Sequence, residues 1–152
     1  MDVYANMKEH DITLPEPPPR GGTYTPAKEF GDRLVYISGC GPVIDTPIEG
    51  KLGETYSVEE GQVFAGNCIR NALAVLEAQI GDLNRVKSIV KILTLVASAD
   101  DFYQQPAVAN GGSGLLVKIF DEEVGLPARS AIGVNVLPGN IPVETELLVE
   151  LK

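Results

Sequence analysis

The sequence predicts an α+β domain: one mixed β-sheet with two helices on a single apolar face. Three observations lead there. A capping box opens a long run with apolar residues every third and fourth position. A β-branched stretch from Val86 to Ala97 follows it. The remaining segments order themselves as β-β-α-β-α-β-β, which leaves the helices to cover one side of one sheet.

The elements follow in chain order. Residues 2–11 are expected to form a short helix, ended by Leu14-Pro15-Glu16-Pro17-Pro18-Pro19, a stiff extended connector. Residues 1–19 therefore read as an N-terminal helix and connector, and 20–152 as the domain proper. After Gly21-Gly22, a hairpin is predicted with strands Thr23–Lys28 and Arg33–Ser38 and a turn at Gly31-Asp32. Opposed positions then sum to about 63, which brings Tyr24 close to Ser38 and Gly39. Residues 43–56, rich in Gly, Pro and acidic residues, read as an exposed loop.

Ser57-Val58-Glu59-Glu60 has the S-x-x-E form in which hydroxyl and carboxylate satisfy reciprocal backbone donors. Ala65, Ile69, Ala72, Leu73, Leu76 and Ile80 then make one apolar face, and Gly81 suits the residue that ends a helix. Cys68 beside that face reads as a small core residue. Val86–Ala97 is a strand. Asp100-Asp101 begins a second helical region, which Asn110-Gly111-Gly112-Ser113-Gly114 is expected to interrupt before Leu115, Leu116, Ile119 and Phe120 continue it. The glycine run lacks the Gly-Lys-Ser/Thr of a phosphate loop and follows no strand, so a helix break or pocket edge is expected instead.

The last segments are predicted to pair as a hairpin across Leu137-Pro138-Gly139-Asn140. Opposed positions sum to about 277, pairing Val134 with Val143, Ile132 with Thr145 and Ser130 with Leu147. The alternate face would carry Arg129, Ala131, Gly133 and Asn135 beside Glu144, Glu146 and Glu150. On that register Arg129 and Glu144 share a face but stand roughly 13 Å apart, four residues at strand rise. Were both in one site, a subunit boundary or a ligand would have to join them. Arg129 inside an apolar strand is either a surface residue or a fork held out for an anion, most often a carboxylate.

Composition narrows the function. The 152 residues suit one core, and the formal charge is −9, with 12 basic against 21 acidic residues. Nucleic-acid binding and membrane-surface binding, which rest on Lys and Arg, are disfavoured. The N-terminus lacks a signal-peptide pattern and no apolar run is long enough for a bilayer, so a cytoplasmic protein with free thiols is expected. Cys40 and Cys68 form no metal pattern, and the lone His10 removes a histidine triad or multi-histidine metal site.

Gly22-Thr23-Tyr24, Ser38-Gly39 with Pro42, Asn71-Ala72-Leu73-Ala74-Val75-Leu76, Asp101-Phe102, Pro127-Ala128-Arg129-Ser130, Leu137-Pro138 and Val143-Glu144 occur in that order. Through them residues 20–152 resemble the RidA/YjgF family, also called the endoribonuclease L-PSP family, in an N-terminally extended branch. The resemblance implies a chorismate-mutase-like fold and a homotrimer with clefts between subunits. It also implies hydrolysis of reactive 2-imino and enamine acids to 2-keto acids and ammonia, without a cofactor.

By that resemblance Arg129 would bind the substrate carboxylate and Glu144 would position or activate water. Tyr24, Ser38 and Gly39 would shape the cleft, and Ser113 falls where the family carries an asparagine on the second helix. Two further positions depart from the family: Ala131 stands where Cys is common, and Cys40 where Gln is common. A non-catalytic binder of small carboxylates such as 2-keto acids is the alternative. The ribonuclease of the second family name is disfavoured by the acidic chain. For each residue a plainer role stands beside the functional one: a surface carboxylate for Glu144, a half-buried sheet residue for Tyr24, a strand-end hydroxyl for Ser38, and a reactive or an inert thiol for Cys40.

Overall fold

The computed structural model describes residues 2–152. In chain order the elements are α1 (Val3–Glu9), β1 (Ala27–Phe30), β2 (Leu34–Cys40), α2 (Val58–Ile80), β3 (Val86–Ala97), α3 (Gln105–Gly125), β4 (Ala128–Val134) and β5 (Val143–Leu151). The five strands form one mixed sheet in the order β1-β2-β5-β3-β4, with α2 and α3 packed on one face. This is the α+β architecture expected. Among the described residues no helix is long and apolar enough to cross a membrane.

α2 starts as its sequence requires. Ser57 Oγ accepts from Glu60 N at 3.2 Å, and Glu60 Oε2 accepts from Ser57 N at 2.8 Å. Gly81 closes the helix with φ 84°, in the left-handed region. Ala65, Cys68, Ile69, Ala72, Leu73, Leu76 and Ile80 are all buried. Ile69, Ala72, Leu73, Leu76 and Ile80 pack with Val35, Ile37, Ile92, Leu147 and Val149 from the inner face of the three central strands, while Ala65 and Cys68 join a second cluster with Leu52, Val96, Val108 and Val143. β3 spans Val86–Ala97, the predicted interval.

α1 is fastened to the domain rather than free. Val3 and Met7 enter the core, Asn6 Nδ2 donates to Ile119 O at 3.0 Å, and Tyr4 Oη donates to Glu77 Oε1 at 2.6 Å. The proline-rich connector then runs along α2, where Arg70 Nε donates to Thr13 O at 2.8 Å. The loop after β2 is held by the buried Asn71, whose Nδ2 donates to Gly41 O and Val43 O, each at 2.9 Å. The expected exposed loop of 43–56 is only partly so, since Leu52 is fully buried and bridges to Ser98.

Three expectations are corrected. The first hairpin is shorter, with Ala27 opposite Ile37 and Phe30 opposite Leu34, so positions sum to 64. Pro26 has no N–H for the ladder, which keeps residues 23–26 out of the strand. Second, α3 runs through the glycine stretch without interruption. A Cβ on Gly111 would stand 2.0 Å from Gln62 O on α2, so the glycine lets two helices approach closely. α3 departs from helical geometry only at Asp121, with φ 60° and ψ 171°.

Third, β4 and β5 do not form a hairpin. β4 pairs in parallel with β3, with Arg129 beside Ile92, and β5 lies between β2 and β3, antiparallel to both. Residues 135–142 cross the end of β3, where Ala97 N donates to Pro142 O at 2.9 Å. β5 is buried at every second residue and gains a ladder on each side in the centre. β4, with no buried residue, takes the edge. Parallel pairing also reverses the predicted orientation of β4. Arg129 lies on the helix side of the sheet beside the buried Ile92, and Glu144 lies on the opposite side, between the buried Val143 and Thr145.

Candidate functional site

The six residues singled out by sequence separate into two groups. Tyr24, Ser38, Gly39 and Glu144 line one cleft of about 250 Å³, together with Arg20, Cys40, Pro138 and Ile141. The cleft lies where β2 bulges between Ile37 and Cys40 against β5. The bulge adds one residue to β2 and brings Gly39 against the side chain of Glu144. A Cβ at position 39 would stand 2.0 Å from Glu144 Oε1, so only glycine leaves the carboxylate in place.

Ser38 is tied to the approaching chain, its Oγ donating to Thr25 O at 2.7 Å and its N to Pro26 O at 2.9 Å. Tyr24 folds back over the preceding turn, its Oη accepting from Gly21 N at 3.1 Å, and remains 45% exposed towards the cleft. The predicted proximity of Tyr24 to Ser38 and Gly39 is therefore realised through this turn rather than through a ladder.

Glu144 is half-buried, and burial first, then the charge of Glu146, raises its carboxyl pKa. Such a group binds its proton more tightly in the folded chain than in the unfolded one. Its contribution is favourable in acid and is lost as pH rises through the folded-state value. Glu144→Gln is therefore expected to raise the thermal midpoint at neutral pH. The advantage should shrink as pH falls and the wild-type carboxyl takes up its proton. Thermal unfolding of both proteins across that range measures it.

Cys40 beside this carboxylate is buried. Its thiol pKa is pushed up to about 12 by burial first and then by the Glu144 charge. It is a neutral wall residue at physiological pH rather than a reactive thiol. Cys68 is likewise buried, and its Sγ donates to Val143 O at 3.4 Å.

The second group is elsewhere. Arg129 Nη1 donates to Asn110 Oδ1 at 2.8 Å and to Ser113 Oγ at 3.2 Å. Asn110 and Ser113 sit three residues apart on α3, hence on one helix face. Arg129 stands two strands from Glu144 and on the other side of the sheet. The two cannot meet within one chain. The expectation that they do not pair directly holds, on a different geometry from the one predicted.

Two residues at these sites were not singled out from sequence. Asn110 lies near Ser113 in the sequence, but a glycine run expected to break the helix gives it no role; on a continuous helix its i,i+3 relation to Ser113 marks it. Arg20 has no such signal, since its place at the cleft depends on how the proline-rich connector lies. Among the described residues no three His, Cys, Asp or Glu side chains gather where they could hold a metal ion.

This fold and its cleft define a class that comparison with known proteins identifies. The endoribonuclease L-PSP family pattern matches residues 16–151. The chain belongs to that family, also known as RidA/YjgF. Protein TCP17 of Trypanosoma cruzi is 39% identical over 151 residues, covering 98% of this chain and 94% of the relative. The crystal structure of Atu1372 from Agrobacterium tumefaciens, a protein of unknown function, is 33% identical with a TM-score of 0.89, covering 99% and 93% of the two chains. RidA from an Antarctic Psychrobacter is 30% identical with a TM-score of 0.60, covering 90% of this chain and 94% of its own.

Proposed function

We propose that the protein hydrolyses reactive 2-imino and enamine acids to 2-keto acids and ammonia, in clefts between the subunits of a homotrimer. The observation that carries this is the division of the site. A half-buried carboxylate at a walled cleft and a guanidinium set by two α3 side chains lie on opposite sides of one sheet. In an assembly one subunit supplies Glu144, Tyr24, Ser38 and Gly39, and its neighbour supplies Arg129 with Ser113 and Asn110.

The open face of the sheet supports assembly. Phe30, Tyr36 and Ile132 are 44%, 43% and 48% exposed there, beside the partly covered Leu93, Leu95 and Leu148. A monomer of this size ordinarily leaves no such face uncovered.

The chemistry asks little of the protein. An imine carbon is already open to attack by water. Arg129 would hold the substrate carboxylate through paired N–H groups, and Glu144 would orient the water and take its proton. Water adds to the C=N carbon, the nitrogen gains two protons, and the C–N bond breaks to leave the keto acid and ammonia. An enamine first tautomerises to the imine. No cofactor enters this scheme.

A second reading has specific support. Cys40, which lines the Glu144 cleft, and Ala131, on the same face of β4 as Arg129, stand where the family commonly carries glutamine and cysteine, which suits a binder of small carboxylates without turnover. One assay separates the two. An amino-acid oxidase generates 2-imino acids in the presence of semicarbazide, and the protein is expected to suppress semicarbazone formation. Retained binding of 2-keto acids without suppression, across several amino acids, would leave the binder reading.

A further inference from the structure

We infer that Arg20 receives a second acidic group of the substrate, so that the cleft prefers dicarboxylic 2-imino acids to neutral ones. The inference rests on the reading of this cleft as a site for small carboxylates.

Among the residues lining the Glu144 cleft, Arg20 is the only cation and Glu144 the only anion. The proline-rich connector brings Arg20 there. Its course is set by Arg70 holding Thr13 and by the extended run through Pro17, Pro18 and Pro19. Arg20 has little to do in the isolated chain. Its Nη1 donates to Tyr24 O at 3.3 Å, and among the described residues no carboxylate lies within ion-pair distance of it although the chain carries 21 acidic residues. Among the described residues the single ion pair is Lys87 with Glu150, at 2.8 Å. The fork of Arg20 is therefore left with N–H groups to offer a ligand, in the planar geometry that matches a carboxylate.

There is room for a substrate longer than a three-carbon acid, since the cleft that Arg20 and Glu144 line together encloses about 250 Å³. With Arg129 of a neighbouring subunit on the carboxylate next to the imine, and Glu144 beside the reacting carbon, Arg20 is the group left for a distal carboxylate. A neutral side chain would leave it in water and gain nothing from it.

The test uses two 2-keto acids of equal carbon number, 2-oxoglutarate and 2-oxopentanoate, which differ at the far end by a carboxylate. Their affinities for the full-length wild type, Arg20→Gln and Arg20→Lys are measured by titration calorimetry. The wild type is expected to bind 2-oxoglutarate roughly 10- to 100-fold more tightly, the scale of a charge-assisted pair. Arg20→Gln should bring the two affinities within about twofold, and Arg20→Lys should fall between, having charge without the fork. Equal affinities in the wild type, or a preference that survives Arg20→Gln, would overturn the inference. So would a wild type that binds neither acid. The semicarbazide assay with neutral imino acids, run in parallel, then decides separately whether the proposed function falls too.

Discussion

Arg129→Ala is expected to lower kcat/KM for 2-imino acids by on the order of 100- to 1,000-fold, the loss of a charge-assisted carboxylate clamp. The fold should tolerate the change. Arg129 is on an edge strand and only partly covered, and its recorded partners, Asn110 and Ser113, are themselves near solvent. Glu144→Ala should lose turnover to a similar degree through a different role, leaving affinity for a keto acid largely in place. The separation of the two residues within one chain makes a sharper result available. Each variant alone should be inactive, and co-refolded mixtures should recover. In a cyclic trimer a mixed assembly has one cleft with both residues intact. Random association of equal amounts should thus restore about a quarter of wild-type activity. Mass spectrometry of the intact assemblies would verify mixing. Mixed trimers without recovery would exclude a cleft shared in this way.

Gly111→Ala is expected to be the most damaging small substitution, costing about 3 kcal/mol or more and lowering the yield of folded protein. The added methyl would stand 2.0 Å from Gln62 O and 2.6 Å from Gln62 Cα, and backbone cannot rotate away as a side chain can. α2 and α3 must then separate, which loosens Gly112 against Ile69 and the bond from Gln62 Nε2 to Ala107 O. Gly114→Ala three residues on is the control. Nothing lies within 4 Å of its added Cβ, so alanine's better helix propensity should stabilise the protein by roughly 0.5–1 kcal/mol. Urea unfolding of both variants reads the difference. Similar midpoints would show that the helices are not in close apposition at Gly111.

Local signals carried most of the fold. The Ser57 cap, the Gly81 terminus, the apolar face of α2 and the length of β3 are each decided by residues adjacent in sequence, and each was legible. The glycine run of α3 was misread because the reason for it lies on another helix. Gly111 is there for Gln62, 49 positions away, and nothing within α3 says so. The hairpin predicted for β4 and β5 failed for a related reason. Alternation identifies which residues of a strand face inward, and it did so correctly for β5. It does not say which strand lies alongside, and a parallel neighbour turned β4 over.

For the site, residue types and order determined the chemistry on offer: a guanidinium, a carboxylate, a tyrosine and a Ser-Gly pair in a chain with no histidine near them. Tertiary structure decided how they are grouped. The bulge of β2 presses Gly39 against Glu144, and the insertion of β5 between β2 and β3 moves Arg129 two strands away and to the other face. The course of the proline-rich connector delivers Arg20 to the cleft. Strand partnership and long-range packing are properties of the whole chain, because a ladder or a close helix contact is stabilised only when both of its members are in place.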